Sequence, residues 1–247
     1  MKNILFLAAI FLGLVNLEAK NPIASPTFDD ILKDTIDSQK YIFDDKNIKM
    51  KVPSFADNPV QVPIYVNASK IKDAQTMIIF ADLNPIPQIV KMDTNKFLPI
   101  FSTNIKVAQE TPLRALIKDS KGLWHVGSIN INSNGGGCDI SSQATTNTSL
   151  SDNLGKSKGK IFDKKEQKRV KFSIFHPMET GLIFGNEAFF INKIEINNEK
   201  NQVLGNLITS SAISENPRIT LESKEDFKEL HLKFFDNDAN EFNLELQ

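Results

Sequence analysis

Leu230-His231-Leu232-Lys233-Phe234-Phe235, then Asp236-Asn237-Asp238-Ala239-Asn240, then Glu241-Phe242-Asn243-Leu244-Glu245-Leu246-Gln247 closes the chain and decides its fold class. Leu230, Leu232 and Phe234 alternate with His231, Lys233 and Phe235. Phe242, Leu244 and Leu246 alternate with Asn243, Glu245 and Gln247. A period of two puts successive side chains on opposite faces, so each run reads as a strand with one buried face. The acidic stretch between them lacks the central glycine and closing glutamate of a calcium loop and reads as a hairpin turn.

The same period recurs upstream. Val170, Phe172 and Ile174 face away from Arg169, Lys171 and Ser173; Ile194 with Ile196, and Ile219 with Leu221, repeat the pattern. Nearer the start, Val60, Val62, Ile64 and Val66 alternate with Gln61, Pro63, Tyr65 and Asn67. Strand-like runs follow at Met77–Ala81, Gln88–Met92, Phe97–Val107, Leu113–Lys118 and Leu123–Ile131, punctuated by turn formers such as Asn84-Pro85 and Asp119-Ser120-Lys121-Gly122. Many short strands between turns predict β-sandwiches. Thr27 to about Gln39 is the helical exception. Phe28, Ile31, Leu32 and Ile36 recur at helical spacing, and Asp29 and Asp30 sit where the helix dipole favours acids. The reading is all-β: two β-sandwiches with a short N-terminal helix.

Residues 133–160 interrupt the pattern. The stretch is rich in Ser, Thr, Asn and Gly and nearly devoid of apolar side chains. It has little surface to bury against the entropy of ordering it, and reads as a flexible linker. The expected organisation is a signal peptide over 1–19, a first sandwich with its helix over 20–132, a linker carrying a cysteine arm over 133–160, and a second sandwich over 161–247.

Composition narrows the function. Met1-Lys2, the apolar run Ile4–Leu14 and the small Ala19 before Lys20 have the layout of a secretory signal cleaved after Ala19, which predicts a periplasmic protein. The apolar run falls well short of the ~20 residues of a spanning helix. The formal net charge of −1 gives no long-range pull on nucleic acid or an anionic membrane, so neither is expected as a partner. The 247 residues hold one cysteine. An exported chain with an odd thiol points to intermolecular pairing or to a thiol with a task.

That thiol is Cys138, behind Gly135, Gly136 and Gly137. Glycines resist fixed structure and make a thin stem. From Asn132 the extended segment would carry the thiol about 20 Å. No Lys, Arg or His adjoins Cys138, and Asp139 disfavours a thiolate, so a carried thiol is favoured over a self-activated catalytic one. The competing reading is an incidental cysteine in a plain linker. A mobile thiol would also permit disulfide-linked dimers through Cys138. Among the histidines, only His176 has a neighbouring soft ligand, Met178, so copper is the weaker idea; no metal and no cofactor are expected. No nucleophile–base pair or phosphate loop is apparent, and no catalytic residue is assigned.

Phe175-His176-Pro177-Met178-Glu179-Thr180-Gly181, after an alternating strand near the start of a β-domain, resembles the signature of the SoxZ proteins of bacterial sulfur oxidation. The Phe234-Phe235-Asp236-Asn237-Asp238 turn is similar to the acidic hairpin near the SoxZ end, and Val60–Ile131 followed by the glycine-rich cysteine segment resembles SoxY. The whole looks like a fused SoxY–SoxZ carrier of the type associated with quinoprotein dehydrogenases. The resemblance implies two immunoglobulin-like sandwiches and a non-enzymatic carrier that holds thiosulfate-derived or other sulfur intermediates covalently on Cys138 and presents them to periplasmic sulfur-oxidation enzymes. An accessory or assembly role beside a quinoprotein dehydrogenase is the alternative. SoxY ends in Gly-Gly-Cys-Gly-Gly, whereas here the cysteine is internal and followed by Asp139 and Ile140. His176, Pro177, Met178, Glu179, Thr180 and Gly181 are expected to serve the fold or the contact between domains.

Overall fold

In the computed structural model, which describes residues 20–138 and 150–247, alternating burial turns the sequence pattern into two facing sheets. The predicted helix is α1 (Phe28–Ile36). The first half then supplies β1 (Tyr41–Phe43), β2 (Lys49–Lys51), β3 (Val62–Asn67), β4 (Thr76–Ala81), β5 (Gln88–Asp93), β6 (Ile100–Ile105), β7 (Thr111–Lys118) and β8 (Trp124–Ile131). After α2 (Leu150–Asn153) come β9 (Ser157–Lys164), β10 (Gln167–Ile174), β11 (Ile191–Asn198), β12 (Val203–Thr209), β13 (Arg218–Ser223), β14 (Leu230–Asp236) and β15 (Glu241–Leu246). The closing hairpin forms as read: Leu232 pairs Leu244, Phe234 pairs Phe242, and Asp236 Oδ1 accepts the turn amides of Asp238 and Asn240 at 3.0 and 2.8 Å.

The two immunoglobulin-like halves pack together. Their sheets run through one another. One sheet has nine strands in the order β1-β8-β7-β4-β5-β12-β11-β14-β15, and the other six in the order β2-β3-β6-β13-β10-β9. Set side by side, β8-β7-β4-β5 mirrors β15-β14-β11-β12, and β2-β3-β6 mirrors β9-β10-β13. The halves therefore meet through equivalent strands, as in a two-fold dimer built within one chain. At the seams Met92 pairs Leu207, Val90 pairs Thr209, Phe101 pairs Leu221 and Ser102 pairs Thr220, all antiparallel. Pairing these edges removes four open strand edges, which would otherwise template aggregation. A single apolar core, from Ile48 through Met92, Phe101 and Ile105 to Ile194, Leu207, Leu221 and Leu246, fills both halves.

The amphipathic helix α1 covers the outer face of the larger sheet. Phe28, Leu32 and Ile36 pack on Ile78, Phe80, Leu116, Trp124 and Val126 in a second small core. Each such buried apolar side chain contributes about 1.5–3 kcal/mol.

Much of the segment expected to be a linker is built into the fold. Residues 133–138 pack against the first half, and 150–160 form α2 and the opening of β9; 139–149 lie outside the described residues. β9 is a basic edge strand with one buried residue, Ile161, which pairs Val170. Its lysines hide an alternation that pairing with β10 makes stable. The proposed signal, 1–19, also lies outside the described residues. Among the described residues no helix is long and apolar enough to cross a membrane.

Candidate functional site

The glycine arm leaves β8 and is immediately caught. Ala56 N–H donates to Asn132 O at 2.8 Å, and Ser133 bridges Ala56. Gly136 and Gly137 then donate to Ala108 O at 2.8 Å and Val107 O at 2.9 Å. The receiving segment 106–108 is itself held by Asn84, whose Nδ2 donates to Lys106 O at 2.8 Å and whose Oδ1 accepts from Ala108 N–H at 2.9 Å.

The glycines are required for contact. A β-carbon on Gly137 would stand 2.1 Å from Pro59 O, and one on Gly135 2.3 Å from Ala108 O. Gly135 also adopts φ +81°, a left-handed conformation that side chains disfavour. The expectation of a loose stem is corrected. Gly135, Gly136 and Gly137 form a strap in which Gly135 and Gly137 press on the neighbouring backbone, because only residues lacking a side chain can approach that closely, while Gly136 has open space around it and holds a left-handed φ of +86°.

Cys138 follows the strap into the interior and is 1% exposed. This differs from the mobile thiol expected. In this conformation it cannot meet the thiol of a second copy, so a disulfide-linked dimer requires the strap to lift. The Cys138 carbonyl accepts a hydrogen bond from Thr180 Oγ1 at 3.2 Å.

Thr180 belongs to His176–Gly181, so the signature loop of the second half forms the other wall. Lys106, buried in the first half, donates from Nζ to Met178 O and, at 3.2 Å, to Ser211 O. Burial pushes the Lys106 ammonium down to about 8, against the opposing charges of Glu179, Cys138 and Glu215. That attraction is mutual, so a positive charge stands within electrostatic reach of the thiol.

The rest of the loop is scaffolding. Met178 holds φ +53°, its N–H donates to His176 Nδ1 at 3.2 Å, and its sulfur accepts from Ile191 N–H at 3.4 Å. With Nδ1 accepting, His176 carries its proton on Nε2, which lies 3.5 Å from Asp236 Oδ2 without forming a hydrogen bond. Burial holds His176 down at about 4, so it is neutral at pH 7. Gly181 is left-handed at φ +73° and abuts Ala188.

The three histidines stay apart, each near its own carboxylate: His125 with Asp44, His176 with Asp236, His231 with Glu229. Among the described residues no three His, Cys, Asp or Glu side chains converge as metal ligands. Lys106 and Asn84 escaped the sequence reading. The signal for Lys106 was a lysine inside the apolar run Ile105-Lys106-Val107.

Comparison with known families matches residues 32–138 to the sulfur oxidation protein SoxY and residues 159–247 to the sulphur oxidation protein SoxZ. The chain is a fused member of the SoxY and SoxZ families. The SoxY match ends on Cys138, and the SoxZ match begins inside β9. Of solved structures, the sulfur carrier protein SoxY from Chlorobium limicola f thiosulfatophilum is 22% identical with a TM-score of 0.40, covering 44% of this chain and 98% of its own. A biofilm associated protein BSP domain is 12% identical with a TM-score of 0.26, covering 81% of this chain and 29% of its own. No curated protein matches. The cradle of Cys138 is therefore shared: the SoxY half supplies the strap and Lys106, and the SoxZ half supplies Met178 and Thr180.

Proposed function

We propose that the protein is a periplasmic sulfur-compound carrier and not an enzyme, with Cys138 as the covalent attachment point. The observation that supports this most directly is the construction of the arm. Cys138 is the last residue of the SoxY match, and it is held by backbone hydrogen bonds through Gly136 and Gly137 and by Thr180. These bonds are each worth about 0.5–1.5 kcal/mol net, so a docking partner can exchange them for its own. Lifting of the arm on docking would present a sulfur adduct to the partner.

The chemistry belongs to partner enzymes. A partner with an electron acceptor joins the thiolate and thiosulfate, Cys-S⁻ + S₂O₃²⁻ → Cys-S-S-SO₃⁻ + 2e⁻, and the two electrons leave on that acceptor. A hydrolase then adds water, releasing sulfate and two protons and leaving Cys-S-S⁻.

Mass spectrometry of protein from its native host, grown on reduced sulfur compounds, should find thiosulfonate or persulfide on Cys138. An unmodified thiol under those conditions overturns the proposal. Cys138→Ser should abolish sulfur-compound oxidation in the host. Full activity of that variant would instead favour the accessory role beside a quinoprotein dehydrogenase.

A further inference from the structure

The outer face of the six-stranded sheet gathers charge of one sign. Lys158, Lys160 and Phe162 of β9 point outward, since Ile161 between them is buried. The register sets Lys158 opposite Ser173 and Ser173 opposite Arg218, and it sets Lys160 opposite Lys171 and Lys171 opposite Thr220. These two rows hold four cations and no carboxylate. The next row holds one acid, Glu222, but it is 2% exposed and already bonded to Arg169, Lys164 and Gln167. Among the described residues, Lys158, Lys160, Lys171 and Arg218 join no ion pair, although Lys96, Lys164, Lys168 and Lys193 all find one.

Two like charges directly opposite on neighbouring strands oppose pairing. The Lys160–Lys171 placement is thus unfavourable in the isolated chain, and an anionic surface laid over it would reverse the sign. The patch has an aromatic centre. Phe162 is 42% exposed, with Lys171 Nζ at 5.7 Å from its ring centroid, and the rows line a shallow depression around it. Phe162 with Arg218 supplies the residue types enriched at the centre of protein contacts, and the three lysines form a charged rim that acts by long-range attraction.

Its position is also informative. β10 runs from this patch directly into Phe175–Gly181, the loop that holds the Cys138 carbonyl. Beside Arg218, Asn216 exchanges hydrogen bonds with His176 at 2.8 and 3.2 Å. A protein seated on the patch has the cradle at its margin.

We infer that this cationic sheet face docks the acidic surface of a partner enzyme, orienting it over the Cys138 arm. The naming of that partner as a sulfur-oxidation enzyme rests on the carrier reading. The face steers encounter by charge, and the arm then completes the contact.

The test uses the full chain and the thiosulfate-loading enzyme of the same host. In surface plasmon resonance, Lys160→Glu combined with Lys171→Glu should weaken binding by about tenfold or more at low ionic strength, and should remove the salt dependence of association. In the loading assay KM for the carrier should rise while kcat stays. Lys160→Gln with Lys171→Gln, which removes the repulsion, should give an intermediate loss. Iodoacetamide should label Cys138 at the same rate in all three proteins, showing an intact arm. Equal binding across ionic strength by wild type and variants, or no binding by wild type, overturns the docking face. Charge-dependent binding to vesicles of phosphatidylglycerol, without charge dependence towards the enzyme, also overturns it. Charge-dependent binding without any loading of Cys138 keeps the docking face and removes the carrier reading instead.

Discussion

Arg114 and Lys106 are both cations withdrawn from water in the SoxY half, but they are compensated in different ways. Arg114, on β7, spends every N–H. It reaches Asp82 at 2.9–3.2 Å, Ser128 at 2.7 Å, Asn21 at 3.0 Å and the Ile23 carbonyl, and it lies 4.6 Å over the Phe28 ring. Lys106 donates to two neutral carbonyls, and its compensating charges are those of Glu179, Cys138 and Glu215. A closed ion pair of the first kind secures structure, here by stitching the segment before α1 to the sheet. A cation kept among carbonyls near the thiol is suited to answer a charge that comes and goes.

Removing a partner from the closed pair should have the largest effect. Asp82→Asn leaves the Arg114 charge buried and unanswered, at a cost of about 3–5 kcal/mol in urea unfolding. Labelling of Cys138 in the native protein should stay unchanged. A loss below about 1 kcal/mol would mean that the pair is not the structural element the geometry implies.

Acid should act next, and through the cradle. His176 is held at about 4 in the folded protein against its ordinary 6.5. Above pH 6.5 neither state is protonated and stability is level. As pH falls from 6.5 to about 4, the unfolded chain takes a proton that the folded one refuses. Stability then drops by about 3 kcal/mol in total. Lys106 works at the alkaline end, where the unfolded chain keeps its proton to 10.5 and the folded one releases it near 8. Its contribution rises with pH across that window. Unfolding curves at stepped pH check both slopes, and His176→Gln should flatten the acidic one. An unchanged acidic slope in that variant would move the effect to other groups.

The smallest effect separates the glycines of the strap. Gly137→Ala meets Pro59 O at 2.1 Å, so the strap must lift. The loss should be about 1–3 kcal/mol, with Cys138 alkylated about tenfold faster or more. Gly136→Ala meets no atom within 4 Å and bears only the strain of φ +86°, about 1–2 kcal/mol, with a smaller gain in alkylation. Equal alkylation in the two variants would mean that close packing is not what holds the arm.

Legibility followed the range of the interactions. β3, β10, β14 and β15 were plain because alternation is a local property, written wherever one face is buried and the other wet. β9 was missed because its outward residues are lysines and only Ile161 is buried. β12 was missed because Val203 and Ile208 are exposed while Gly205 is buried, so its composition masks its faces. Cys138 and the His176–Gly181 loop could each be singled out from sequence. That they share one cradle could not, since the Thr180 to Cys138 hydrogen bond links segments with no common pattern.

By itself, the sequence determined an all-β chain of two sandwich halves, a helix over Phe28–Ile36, and a single thiol behind three glycines. Only the tertiary structure decided that the halves share their sheets, that the glycines form a packed strap, and that Lys106 stands near the thiol. The physical reason is the same each time. Periodicity records whether a residue faces water or core, but edge pairing, close backbone approach and the field of a buried charge depend on which distant segment supplies the other side.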